Sequence, residues 1–546
     1  MAPVTFSLST VAPSAHSPCA TTVSADAVPP VNEPVTLEFG GAPWRHALWI
    51  LAAMTAVRLL LGAAIPLFPD ETYYWEWSRH LAGGYFDHPP ALALLIAGGT
   101  ALLGDTPLGV RVLPILAGTA GGFALIRAAC HLAGEYAARY TALVFAVIPL
   151  SAAGLVLATP DAPLLAGIAW TLYAVVRALD EPVGSVAATK WWTLGGLAIG
   201  LAMASKFTGV FVPLALVAAF AWHGPLRVRF TERGPWIAVA VASLVLVPVL
   251  LWNAQHDWIA FRFQLGHALV PTARGTWYNR ELELVGGQAA LLTPILFVLV
   301  VAAIVRGLRA PRDATRFTLA AAAALPLAFF MYSALQKGVS ANWPAIAWLP
   351  GIVLLGVVRS GRRTAWERRG VWLSAVLTAL VLVHVLVPYL PLPPRRDQVS
   401  KAHGWDALAL SVDSARRALE SAAGGSGGRV AVAANRYQDA SMLAFHLPGR
   451  PVIPALNLGG RANQYELWPN FTDEPRPGLT LLLVLELPRE GVPGPIRRLT
   501  TSFDSITPGP LLPLMRGEVE LGHRRLWILA GWNGTWPDPR SPLSPP

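Results

Sequence analysis

The sequence predicts a polytopic α-helical membrane protein of about 11–13 transmembrane helices, followed by a small C-terminal extracytoplasmic α/β domain. Three observations carry this. Only 14% of the residues are charged and 54% are hydrophobic, against about 25% charged in an ordinary soluble chain. Apolar runs close to the roughly 20 residues needed to cross a bilayer recur from residue 47 to 390. Beyond about residue 395 those runs stop, and short strand-like segments replace them.

Residues 1–44 are rich in Ala, Pro, Ser, Thr and Val and read as a disordered tail. They lack the basic start and compact apolar stretch of a signal peptide. Spans are expected at 47–66, 109–127, 140–158, 162–179, 191–204, 207–222, 236–252, 285–305, 317–335, 344–358 and 370–390. The run ALALLIAGGTALL at 91–103 is short and contains glycine, and reads as a re-entrant or interfacial helix. Basic residues crowd alternate loops, from Arg127 and Arg139 through Arg227, Arg229 and Arg233 to Arg362 and Arg363. Lys and Arg mark cytoplasmic loops. The N-terminus is therefore expected inside a cell (inner) membrane, with 67–90, 158–163, 204–209, 253–284, 336–344 and everything after Tyr389 outside. Residues 45–390 form the membrane domain and 391–546 the outer one. There PLPPRR reads as a linker, SVDSARRALESAA as an amphipathic helix, and 429–434 and 479–487 as strands.

The net charge of +10 does not point to nucleic acid, because the arginines lie in short clusters between apolar runs. With two cysteines, Cys19 and Cys130, neither a disulfide framework nor a cysteine metal cluster is expected. No internal repeat of the kind found in many transporters is visible.

The stretch FPDETYYWEWSRHLAGGYFDHPP after the first span concentrates Asp70, Glu71, Glu76, Arg79, Asp87 and His88. Charges beside a bilayer are costly unless they face water or serve a function. Tyr73, Tyr74, Trp75 and Trp77 read as an interfacial aromatic belt. The adjacent carboxylates Asp70 and Glu71 read as functional, since they serve anchoring poorly. Asp161, in TPDAP at a span junction, is either a helix cap or a catalytic group. Lys206 in ASKFTG either snorkels or holds a phosphate. Arg262, Gln264 and His267 in the loop after residue 253 are solvated by default, with phosphate or sugar binding as the alternative.

Together DETYYWEWSRHLAGGYFDHPP, ATPDAPLL, SKFTG and LLWNAQHDWIAFRFQ resemble the bacterial glycosyltransferase family 39. Its relatives include the protein O-mannosyltransferases and the lipid A aminoarabinose transferase, within the membrane C-type glycosyltransferases. The resemblance spans about 45–390 and continues weakly through AFHLPGRPVI and QYELWP. It implies a transferase that passes a sugar from a polyprenyl-phosphate carrier to a lipid, glycan or protein acceptor on the outer face. By resemblance Asp70 is the base, Glu71 its partner or an acceptor contact, and Asp161 the second carboxylate. A protonated His88, with Tyr85, Asp87, Lys206 and Arg262, is assigned to the carrier phosphate and substrate. One departure is visible: Asn342-Trp343-Pro344 stands where relatives often carry His-Trp-Pro.

The resemblance implies no cofactor. A phosphate leaving group does not require a metal, although Asp70, Glu71, Asp87, His88 and Asp161 converging on a divalent ion is the alternative. Rival functions are a lipid or solute transporter or flippase, and a glycan-binding sensor. Sugar transfer without net solute flux in liposomes separates the enzyme from the transporter.

Overall fold

The computed structural model describes residues 41–269, 275–358, 364–394, 396–422, 430–458, 460–469, 478–486 and 493–536. Residues 1–40 of the expected tail lie outside them, and its last residues, Ala42–Trp44, instead begin the first helix.

The membrane portion runs α1 (Ala42–Ala64), α2 (Pro69–Arg79), α3 (Ala91–Leu103), α4 (Pro107–Val147), α5 (Pro149–Ala152), α6 (Asp161–Asp180), α7 (Val186–Met203), α8 (Phe211–Trp222), α9 (Arg233–Gln255), α10 (Ile259–Leu269), α11 (Trp277–Leu292), α12 (Pro294–Leu308), α13 (Ala314–Gln336), α14 (Ala345–Val358) and α15 (Ala365–Leu386). Among the described residues six helices are long and apolar enough to cross a bilayer, namely α1, α4, α6, α9, α13 and α15. Treating each sharply bent helix pair as one span raises this to eight.

The other expected spans are helical but short or broken, for local reasons. The expected span at 140–158 is the tail of α4 followed by the four-residue α5. Helix α4 itself breaks at Ala133–Gly134, where Gly134 has φ +79°, a conformation glycine adopts without a Cβ penalty. The expected span at 285–305 is α11 and α12, which meet at 101°. Pro294 supplies no N–H there and Thr293 takes φ +66°, so the helical ladder stops. Helix α4 starts with Thr106 accepting the Gly109 N–H, and α15 with a Thr364/Glu367 capping box. Side chains of α4, α6, α12, α13 and α14 share the largest apolar core.

Beyond α15 follow α16 (Trp405–Ala422), β1 (Val430–Ala434), α17 (Tyr437–His446), β2 (Thr480–Leu485), α18 (Gly494–Leu499), β3 (Phe503–Arg516) and β4 (Val519–Trp532). The sheet order is β1-β2-β4-β3, with β1 and β2 parallel and the remaining pairs antiparallel. Both strands expected from the sequence are present as β1 and β2. Helix α16 buries Trp405, Leu408, Ala409 and Val412, the spacing of one helical face. The β3–β4 hairpin was not anticipated, because β3 contains Pro508, Pro510 and Pro513. Proline is tolerated there because β3 is an edge strand, with a register shift between Pro508 and Leu511.

The aromatic face of α2 does not form an interfacial belt. Tyr73, Trp75 and Trp77 are buried and share one core with Trp405, Leu408, Met442, Phe445 and Tyr465 of the outer domain. Burying such rings contributes about 1.5–3 kcal/mol each. They therefore dock the outer domain onto α2.

Candidate active site

The segment FPDETYYWEWSR forms α2 because Pro69 occupies its first turn and Glu71 reaches back to accept the Phe68 N–H at 3.0 Å. That places Asp70 at the start of the helix, exposed. The loop that follows, AGGYFDHPP, lies directly on α9. A Cβ on Gly83 would meet the Pro248 carbonyl oxygen at 2.5 Å, and one on Gly84 the Trp252 ring at 2.8 Å. The glycine pair thus permits the close approach that presents Asp87 and His88.

Three aspartates gather around Tyr74. Its phenol is held well above its ordinary pKa, first by burial and then by the charges of Asp70, Asp87 and Asp161 and the nearby Tyr437. The three differ sharply in partners. Asp87 accepts from Tyr73 Oη at 2.8 Å and from Arg461 Nη2 at 2.8 Å. Asp161 accepts from Lys206 Nζ at 2.7 Å and from Asn342 Nδ2 at 2.7 Å. Among the described residues nothing donates to the Asp70 carboxyl. Burial raises the Asp70 pKa; the Asp87 charge adds to the rise, Arg461 and Lys401 oppose it, and Glu71 adds a smaller push. Its surface is open to solvent, yet protein on the remaining sides desolvates it. A carboxylate so placed is a stronger base than usual and has its lone pairs free.

His88 lies within charge range of Lys206, Asp161 and Arg461. Burial, with Lys206, pushes its imidazole down to about 3. The protonated His88 expected from the sequence is therefore not what this environment favours; the ring is neutral at ordinary pH. Its Nδ1 is buried without a hydrogen-bond partner among the described residues.

Three other candidates stand apart. Glu71 is fully committed: Arg111 Nε and Nη2 donate to its two oxygens at 2.7 and 2.6 Å, and the Ala158 N–H donates at 2.8 Å. Both side chains are buried, so Glu71 holds helices together and does not face an acceptor. Tyr85 is buried against Trp77 at 4.5 Å, with its hydroxyl within hydrogen-bonding distance of the Trp77 and His80 carbonyls. It shapes the loop without reaching the cleft. Arg262 is exposed and donates to the Asp257 carbonyl. Gln264 donates to the Asp87 carbonyl at 2.7 Å. The side chain of His267 lies outside the described residues. The cap reading of Asp161 also fails, since no cap hydrogen bond is made at the start of α6. Among the described residues no group of three or more His, Cys, Asp or Glu side chains is arranged to hold a metal ion.

Sequence reasoning missed Arg461, Arg111 and Gln464, and noted Asn342 only as a departure from the His-Trp-Pro of relatives. Gln464 accepts the Phe86 N–H at 2.7 Å and its own N–H donates to Tyr73 Oη at 2.7 Å. Arg461 and Gln464 lie in or beside the QYELWP segment, so the weak outer-domain resemblance was the available signal.

The chain is similar to polytopic membrane glycosyltransferases. Residues 87–252 match the dolichyl-phosphate-mannose-protein mannosyltransferase family. It is 27% identical over 66% of its length to the lipid A galacturonosyltransferase RgtD of Rhizobium johnstonii, covering 75% of that protein. It is 24% identical over 37% of its length to the polyprenol-phosphate-mannose–protein mannosyltransferase of Corynebacterium glutamicum, covering 47% of that protein. Its fold is similar to ArnT from Cupriavidus metallidurans bound to undecaprenyl phosphate, with TM-score 0.61, 16% identity, and coverage of 88% of this chain and 97% of that one.

Proposed function

We propose that the chain moves a sugar from a polyprenyl-phosphate carrier to a hydroxyl of a lipid-anchored acceptor, with Asp70 as general base. The reading rests above all on Asp70 being unpaired in the cleft while Asp87 and Asp161 each hold a cation. The acceptor oxygen bonds to the sugar C1 as the bond from C1 to the carrier oxygen breaks. Asp70 takes the hydroxyl proton, and the phosphate leaves with the bonding pair. A positioned base contributes about 10²–10⁴-fold to such a step. In this reading Lys206, which donates to Asp161 at 2.7 Å, meets the charge developing on the departing phosphate.

A lipid acceptor is supported by the more extensive match to the lipid A galacturonosyltransferase than to the protein mannosyltransferase. The Arg-rich loops support a cytoplasmic N-terminus, with residues 45–390 carrying the cleft and 391–546 facing outward. The test is transfer by purified protein in liposomes. Sugar lost from undecaprenyl phosphate and recovered on a glycolipid acceptor supports the reading. Solute flux without transfer overturns it.

A further inference from the structure

We infer that Arg461 is a substrate-binding residue that reads an anionic group other than the carrier phosphate. This rests on the transferase reading above. Arg461 comes from the C-terminal domain and lies within charge range of Asp70 and His88. Its guanidinium is fixed in plane, 5.0 Å from the Phe263 ring and 5.6 Å from the Tyr437 ring. A guanidinium has five N–H donors. Asp87 takes Nη2 at 2.8 Å, and Tyr437 lies alongside. Even so, 43% of the side chain remains exposed, while Asp87 beneath it is 8% exposed. Asp87 and Tyr437 anchor the guanidinium, and the part left exposed lies within charge range of the base. Exposed Lys401 adds a second positive charge near Asp70.

A planar, pre-oriented guanidinium suits two-point binding of a carboxylate or phosphate. Near the base, the candidates are a carboxylate on the transferred sugar or a phosphate on the acceptor. The carrier phosphate has its own cation in Lys206, on the Asp161 side of the cleft.

The experiment measures kcat/KM of the full-length protein and its Arg461→Gln and Arg461→Lys variants in liposomes. Donors are undecaprenyl phosphate carrying galacturonic or glucuronic acid, and their neutral counterparts galactose, glucose and mannose. Each is paired with a phosphorylated glycolipid acceptor and with the same acceptor dephosphorylated. Arg461→Gln is expected to lower use of the charged substrate by about 10- to 100-fold more than use of its neutral counterpart. Arg461→Lys is expected to fall between Gln and wild type. A ratio that shifts with the donor assigns the anion to the sugar, and one that shifts with the acceptor assigns it to the acceptor phosphate. An equal fall for every combination, with a matching loss of thermal stability, reduces Arg461 to a structural partner of Asp87 and overturns the inference. Transfer of none of these sugars by wild type overturns the transferase reading itself.

Discussion

Lys206 Nζ and Asp161 Oδ1 lie 2.7 Å apart, with only 10% and 15% of their side chains exposed. The start of α6 and the segment after α7 thus meet in one ion pair, and the cation proposed for the carrier phosphate is held by its own counter-ion. Lys206→Ala is expected to weaken donor use by about 1.5–3 kcal/mol, and Lys206→Arg by less. The check is KM for the polyprenyl donor against KM for the acceptor. An unchanged donor KM with reduced expression would make Lys206 purely structural.

Asp70→Asn is expected to lower kcat by about 10²–10⁴-fold. Because nothing described donates to Asp70, the substitution should leave thermal stability within about 0.5 kcal/mol of wild type. Near-normal turnover of the purified variant would remove Asp70 from the base role.

Glu71→Gln behaves differently. It leaves Arg111 buried with a neutral partner, and breaking a buried ion pair typically costs about 3–5 kcal/mol. The expected result is a lower unfolding temperature and poor yield, measured on detergent-solubilised protein. A stable but inactive Glu71→Gln protein would return Glu71 to the chemistry.

The pH profile follows from two opposite shifts. Asp70 acts as a base only when ionised, and its pKa is raised. Activity should therefore fail on acidification at a higher pH than an ordinary aspartate, whose value is about 3.9. His88 is neutral down to about 3 and adds no limb near its ordinary 6.5. The unfolded chain protonates His88 at about 6.5 and the folded one at about 3, so stability falls as pH drops through that window. A kcat limb that His88→Gln abolishes near neutral pH would contradict this assignment.

The proposed topology is tested at Leu81, which is 55% exposed. In a cysteine-free background, Leu81→Cys should react with an impermeant thiol reagent in intact cells. Reaction only after permeabilisation would invert the orientation. Gly83 is unsuited to this because of the Pro248 carbonyl against it.

The membrane character, the strands β1 and β2, and the gathering of Asp70, Asp87, His88, Asp161 and Lys206 were legible from apolar runs and loop charge. Pairing was not. Glu71 follows Asp70 directly, yet one helical step, about 100° of rotation, turns it inward to Arg111. Tyr73, Trp75 and Trp77 resemble an interfacial belt in composition, and only the docked outer domain distinguishes that from a buried core. Arg461 is 374 residues from Asp87, a separation that carries no local pattern. The three prolines concealed β3, since a strand that gives up N–H groups reads as loop.

Those same prolines bear on how neighbouring molecules meet. An outermost strand with a full row of unpaired amides would invite the corresponding strand of another molecule to join it. Pro508, Pro510 and Pro513 leave three gaps in that row on β3. Copies crowded side by side in a membrane then find no continuous template for intermolecular sheet growth. The C-terminal domain thus presents, at this edge, a strand poorly suited to pairing with another.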